Sequence, residues 1–542
     1  MSSTTHPFTP DTSFDGGDLD CGNGLLLLIR QHIDPLDAGQ LLEIVSYEPT
    51  VQVDLPSWCR LTGNELLNVI EEPDAKRWRF LVSKGPFSAP PEQAETGRAA
   101  AKPPAAPEST ASTASTAAPR GKKQRKRPQM PVTQEVVTPT IPTEFPAPAP
   151  APTLAPLSVL TMGSWPRKPW LLNAVHEHVA GRMQEDAFQA TANDAVELVL
   201  ASQERAGVDV VTDGEMRRDN YSSFVAGRLQ NCQLIPITDL LPYVEDPEEF
   251  ERELRALDVP AGEVRHPAVF GPLGRDKPLV AHEVRYLQSI TDTPVKVCLP
   301  GPYLLTRTMW MECVSDRAYD SREEMAADIV RVLREELHEL YSLGTAMIQI
   351  DEPVLTEVVY GRHDGGGRTF MCGALDELEG SVDDELAFAK SLLQQLTEGF
   401  DPERLALHVC RGNWTTDEAA ALEGDFAPFV DLFASVNVGI LSLELATPRA
   451  GSLDALRGIR EDQRVSVGVL NQKQQALEPI EAVVARIAAA VDTFGRDRVL
   501  LSTDCGFATF ADNPIVADAL ARDQLALIVQ ARDAYLKQEA RQ

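Results

Sequence analysis

The chain of 542 residues holds no run of the about eighteen consecutive apolar residues that a membrane helix needs, although 43% of its residues are hydrophobic. Its first residues, Met1-Ser-Ser-Thr-Thr-His-Pro7, lack the apolar core of a secretory signal. Both absences lead to the expectation of a cytoplasmic protein with no membrane partner. Cysteine is sparse, with eight in the whole length, which excludes a dense disulfide framework and makes reduced thiols the default. Basic charge is also short: 50 Lys and Arg against 81 Asp and Glu leave a net charge of −31, which argues against nucleic acid as a partner. The local exception, Arg120-Gly-Lys-Lys-Gln-Arg-Lys-Arg127, reads as a solvated charge cluster. A Gly-rich phosphate-binding fingerprint is missing too, so an open doubly wound nucleotide sheet has only strand–helix alternation in its favour.

Periodic apolar pattern disappears between residues 86 and 155, where Ala, Pro, Ser and Thr dominate, as in Pro146-Ala-Pro-Ala-Pro-Ala-Pro152. Such a composition cannot bury a core of its own, and a disordered, partly polyproline tether is expected there. It separates a small unit over 12–85 from a large one over 156–537. In the small unit a helix-like stretch, Gly24–Ile33, is followed by the strand-like runs Gln40–Ser46 and Arg77–Val82, which suggests an α+β unit.

From residue 157 onward short apolar runs alternate with amphipathic helices, the pattern of a parallel α/β sheet or barrel. Ser321-x-x-Glu324 is a capping box, and Ile329, Leu333, Leu337 and Leu340 keep helical spacing after it. Ile480, Val483, Ile487 and Val491 mark another helix. Chemistry-bearing side chains sit where the apolar runs end. In Leu405-Ala-Leu-His-Val-Cys410, alternation puts His408 and Cys410 on one face, close enough to share a metal. Glu444 closes Ile440-Leu-Ser-Leu-Glu444, and Cys505 follows Val499-Leu-Leu-Ser-Thr-Asp504. Imidazole, thiolate and carboxylate donors suit zinc, and an open or displaceable position would hold a substrate thiol as its thiolate. Strand C-terminal ends are where a (β/α)8 barrel assembles its chemistry.

Seven segments in order carry a resemblance: Leu160-Thr-Met-Gly-Ser-Trp-Pro166, Val211-Thr-Asp-Gly-Glu-Met-Arg217, Ile348-Gln-Ile-Asp-Glu-Pro353, His408-Val-Cys410, Leu441-Ser-Leu-Glu444, Val467-Gly-Val-Leu-Asn471 and Ser502-Thr-Asp-Cys-Gly506. Over residues 157–535 the chain resembles the catalytic barrel of cobalamin-independent methionine synthase. The resemblance implies a TIM barrel with zinc held by His408, Cys410, Glu444 and Cys505, and methyl transfer to a small thiol, homocysteine. It implies that Met162, Gly163, Ser164, Glu215 and Asp351 hold the amino acid, with Glu357 further along the same segment. Lys473, in Asn471-Gln-Lys473, stands where the family's proton-donating histidine falls. The residues that sandwich methyltetrahydrofolate in the family are not matched in Val264-Arg-His-Pro267 or Thr306-Arg-Thr-Met-Trp310, so a methyl-corrinoid stays open as donor beside folate. Arg167, Arg217 and Arg218 keep open a thiol that bears a sulfonate instead of an ammonium group.

The first unit resembles a TusA-type sulfur carrier, through Asp18-Leu-Asp-Cys21, Asp37-Ala-Gly-Gln-Leu-Leu-Glu-Ile44 and Leu55-Pro-Ser-Trp-Cys-Arg60. That resemblance implies a persulfide on Cys21, and a cysteine just before a helix N-terminus does favour thiolate. The family's Cys-Pro-x-Pro is Cys21-Gly-Asn-Gly24 here, and Cys59 is a candidate disulfide partner for Cys21. Two alternative functions follow. In one, a sulfurtransferase loads Cys21, which delivers sulfur to the zinc barrel for C–S bond formation. In the other, the chain is a non-catalytic carrier or docking protein.

Overall fold

The computed structural model describes residues 6–17, 25–33, 36–48, 51–62, 64–72, 76–87, 130, 132, 134–179, 181–236, 265–311, 314–361, 381–412, 416, 418 and 421–541. The chain divides into two compact units, 1–128 and 129–542.

The first unit runs β1 (Thr12–Asp15), α1 (Leu25–Ile33), β2 (Leu41–Ser46), α2 (Val51–Thr62), β3 (Glu65–Glu72) and β4 (Arg77–Ser83). Its sheet has the order β1-β2-β4-β3, with β1 parallel to β2 and the other pairs antiparallel. Alternation puts Leu42, Ile44, Phe80 and Val82 on one face, where they form a single buried cluster with Leu25, Ile29, Ile33, Val51, Leu55 and Cys59. The expected helix and both expected apolar strands are present. Cys21 lies outside the described residues. Cys59 is a core residue 2% exposed, and burial pushes its thiol up to about 11.

In the second unit an antiparallel hairpin, β5 (Leu229–Pro236) and β6 (Arg265–Arg275), stands apart from the main sheet. That sheet comprises β7 (Lys296–Pro300), β8 (Met347–Asp351), β9 (Leu405–Val409), β10 (Ile440–Leu443), β11 (Arg464–Leu470) and β12 (Val499–Thr503), all parallel, in the order β12-β11-β10-β9-β8-β7. Every residue of β7, β8, β9, β10 and β12 is buried, as parallel strands covered on both faces require. Parallel bridges continue the pairing beyond both edges. Val295 pairs with Val211, Val210 with Leu160, and Val159 with Leu501, so hydrogen bonding returns from β7 to β12 through two short segments. All C-terminal ends therefore gather at one end of the sheet. At the opposite end Leu154, Leu160, Val210, Ala346, Met347, Ala406, Ile440 and Leu500 form a buried cluster.

The expected helices form as Arg322–Ser342 and Ile480–Phe494. Ser321 Oγ accepts from Glu324 N at 3.2 Å, while Glu324 Oε2 accepts from Asp320 N at 2.8 Å, one residue before the cap. No helix among the described residues is long and apolar enough to cross a membrane.

One expectation fails along its last part. Residues 134–155, read as the end of a free tether, lie as an extended strap on the second unit. Val137 N donates to Asn231 Oδ1 and Val137 O accepts from Asn231 Nδ2, both at 2.7 Å. Phe145 stacks on His338 at 4.1 Å between centroids, and Ala149 N donates to Tyr341 O. Arg404 donates to Ala149 O, and Arg464 to Leu154 O and Ala155 O. A proline-rich chain has no core of its own, but it presents carbonyls without competing N–H groups, and arginines elsewhere in the fold take them.

Candidate active site

The C-terminal ends of the strands surround a cleft of about 520 Å³, its mouth included. Seven of its lining residues were expected: Met162, Ser164, Glu215, Asp351, His408, Cys410 and Cys505. Tyr221, Gln349, Pro353, Gly506 and Thr509 complete it. Gly163 lies behind Met162, where a Cβ would meet Cys298 Sγ at 2.9 Å and the Glu215 carboxylate closer still, so only glycine lets these groups approach. Glu215 itself has φ of 60°, a left-handed conformation that costs a non-glycine residue energy and clusters at functional sites.

His408, Cys410 and Cys505 offer donor atoms that all lie within 4.8 Å of one another, and all three residues are buried. His408 pairs in register with Asp351 on the adjacent strand, and its Nδ1 meets Asp351 Oδ1 at 2.8 Å. Its Nε2 is buried without a hydrogen-bond partner. An imidazole oriented by a carboxylate on one nitrogen and orphaned on the other is the arrangement of a metal ligand. Burial works against the imidazolium, but the Asp351 carboxylate on Nδ1 and the neighbouring Cys410 sulfur raise His408 to about 10. A hydrogen bond with Cys505, with help from His408 and against burial, lowers Cys410 to about 6, while Cys505 rises well above its usual value. One thiolate therefore forms readily beside a thiol, and two negative sulfurs need a cation between them.

Glu444 follows β10 immediately and is 2% exposed, but its carboxylate is paired closely with Arg411 and falls outside the His408, Cys410, Cys505 group. A buried carboxylate takes the available cation, and here that is a guanidinium. Asp504 Oδ1 accepts from Leu445 N and Ala446 N, both at 2.9 Å, and so fixes the turn that carries Glu444. Glu357 and Lys473 are buried, but neither lines the cleft. The three arginines of the sulfonate option are engaged elsewhere. Arg167 donates to Ala508 O at 2.6 Å and Glu215 O at 2.8 Å, Arg218 to Glu283 at 2.6 Å, and Arg217 to Gln189 at 2.9 Å. Among the described residues that line the cleft there is no arginine or lysine, whereas Glu215 and Asp351 are there.

The sequence reading missed Gln349, Cys298 and Lys296. Lys296 is 1% exposed and donates to Thr161 O at 2.7 Å and Met162 O at 2.8 Å, beside Cys298 Sγ, 3.0 Å from Met162 O. Alternation was the available signal: Gln349 shares a face with Asp351, and Lys296 with Cys298.

The chain matches the family described as cobalamin-independent synthase, catalytic domain, over residues 157–241, 255–367 and 405–531, more than half its length, and it belongs to that family. The first unit lies outside these blocks. The chain is 26% identical over 357 residues to a methionine synthase of Sulfolobus acidocaldarius, which covers 65% of this chain and 86% of that one. A methionine synthase of Thermococcus kodakarensis is 25% identical over 355 residues, covering 65% and 87%. Among solved structures, the B12-independent methionine synthase of Shewanella sp. W3-18-1 in complex with selenomethionine shares the fold, with a TM-score of 0.53 and 22% identity, covering 72% of this chain and all of that one.

Proposed function

We propose that the second unit is a (β/α)8 barrel that binds zinc through His408, Cys410 and Cys505 and methylates homocysteine to methionine. The family match makes the chain a methyltransferase, and the observation that carries the substrate is the cleft itself. A potential metal-ligating trio lines it together with Glu215 and Asp351, and no arginine or lysine is among its described lining residues. Two sulfurs and one imidazole fit zinc, which in a catalytic site takes three protein ligands and leaves a position for substrate. Glu444 would become a fourth protein ligand by releasing Arg411. Bound zinc would lower the pKa of the substrate thiol and hold it as thiolate.

The chain's own residues do the rest. Asp351 orients His408 and, with Glu215, offers negative charge to the ammonium group of the amino acid. The backbone around Gly163 brings Met162 and Ser164 to the same place. The substrate sulfur forms a bond to the methyl carbon as the donor's own bond to that carbon breaks, and the donor takes a proton. We assign that proton to Lys473, a buried amine that stands where the resemblance places the family's proton donor. Membership in a cobalamin-independent family favours a methyltetrahydropteroylglutamate over a corrinoid as donor. The first unit is read as the sulfur-carrier-like module, and persulfide delivery remains tied to Cys21.

Zinc-loaded full-length protein, supplied with homocysteine and either donor, should yield methionine by mass spectrometry. Labelled sulfur in the product after supplying persulfide, with no methionine from either donor, would replace methyl transfer with sulfur transfer.

A further inference from the structure

Gln349 is the third residue of β8, lines the cleft and is 1% exposed. Its amide nitrogen meets three acceptors: Asp351 Oδ1 at 2.7 Å, Met162 O at 3.2 Å and Cys298 Sγ at 3.5 Å. Asp351 Oδ1 and Met162 O have no hydrogen to give, so the amide cannot be turned over without placing oxygen against oxygen. The orientation is therefore fixed by its surroundings. It leaves Oε1 buried with no hydrogen-bond donor among the described residues. Glu215 Oε2, on the same cleft, is in the same condition. Two orphaned acceptors on a cleft whose described lining holds no arginine or lysine call for a donor that arrives with the ligand.

We propose that Gln349 Oε1 accepts a hydrogen bond from the α-ammonium group of the aminothiol substrate, as a specificity-determining third acceptor beside Glu215 and Asp351. The assignment rests on the aminothiol reading of the cleft. Its physical logic is that an ammonium group has three N–H bonds, while only two carboxylates are among the described residues that line the cleft. Burial holds Glu215 above the usual carboxylate range, although Arg218 and Arg167 pull it down, and Asp351 adds to the upward shift. A third carboxylate would add to that repulsion, whereas a neutral amide oxygen completes the coordination without new charge.

The test compares homocysteine with 4-mercaptobutanoate, which has the same thiol and carboxylate but no amino group, by calorimetric binding to the zinc-loaded full chain. Gln349→Met keeps the length and removes the amide. It should weaken homocysteine by about tenfold or more, as loss of a hydrogen bond to a charged group does, and leave 4-mercaptobutanoate within about twofold. Binding of the analogue by the variant shows that the site is still folded. The loss should persist when Gln349→Met is made on top of Asp351→Asn. A loss that vanishes there would mean that Gln349 acts only by holding Asp351, and would overturn the direct contact. A preference for homocysteine that survives intact in Gln349→Met overturns the assignment alone. Equal binding of the two thiols by the unaltered protein removes the aminothiol reading and this assignment with it.

Discussion

At the scale of single residues, the site depends on Cys410 and Cys505 arriving from β9 and β12 within reach of His408. A serine oxygen is a poor zinc ligand, so Cys410→Ser and Cys505→Ser should each lose bound zinc while circular dichroism shows an unchanged fold. Full zinc occupancy in the double variant would remove these residues from the metal site. Asp351 acts one step further out: Asp351→Asn should weaken zinc by about 10–100-fold through the His408 ring it orients, measured by competition with a chelator. Unchanged zinc affinity would mean that the Asp351–His408 bond serves only packing. His408 and Cys410 were legible in the sequence because a two-residue spacing on one strand is enough to put them together. The Arg411–Glu444 pair was not, because it depends on two loops whose approach no local pattern records. Lys473 was placed by resemblance alone, because no local pattern around Asn471-Gln-Lys473 points to a proton donor.

Among the elements, the link between β8 and its neighbour explains why Asp351 is followed by a second acid. Glu352 is fully buried and accepts from Tyr303 N at 2.8 Å and Leu304 N at 2.9 Å, so it caps the helix Pro302–Met309 from the adjacent strand. Burial raises its carboxyl to about 8, although both backbone donors oppose the shift. Gly301 begins that helix, and any Cβ there would run into the Glu352 carboxylate. Gly301→Ala should cost about 1–3 kcal/mol, read as a lower Tm, and an unchanged Tm would show that Glu352 moves aside freely. The helix at 322–342 was legible because Ser321 and Glu324 are close in sequence, whereas this cap joins residues 48 and 49 apart and left no local trace. A second element-level test concerns the hairpin. His266 on β6 is 5% exposed, and burial pushes it down to about 3. The unfolded chain then binds the extra proton below pH about 6.5, so the stability held by the neutral ring is complete above that pH and lost as pH falls toward 3, at about 1.4 kcal/mol per pH unit. Denaturant titrations from pH 7 to 5 should show a shallower decline for His266→Gln than for the unaltered protein, and parallel curves would exclude the histidine as a cause.

For the molecule as a whole, the strap changes where the catalytic unit begins. Family resemblance starts at residue 157, and a chain cut there would keep every cleft residue. The structure gives a reason to expect that such a chain is damaged. Leu154, 8% exposed, is part of the cluster that closes the sheet at the end opposite the cleft, with Leu160, Val210, Met347 and Leu500. Removing it uncovers that cluster, and Leu154→Ala alone should cost about 2–4 kcal/mol by the measure of buried leucines elsewhere. Arg404 and Arg464 would also lose carbonyl partners at residues 149, 154 and 155. A chain from residue 130 onward keeps all of these contacts. Its Tm and its rate of methionine formation should match those of the second unit within the full protein, whereas a chain from 157 onward should melt several degrees lower and lose soluble protein on heating. The comparison also separates the strap from the first unit, which both shortened chains lack. If the chains from 130 and from 157 melt together, the strap is only laid on the surface. If the chain from 130 is itself inactive with homocysteine and methyl donor while the full protein is active, the first unit takes part in the chemistry, and methyl transfer by the second unit alone is no longer a sufficient account.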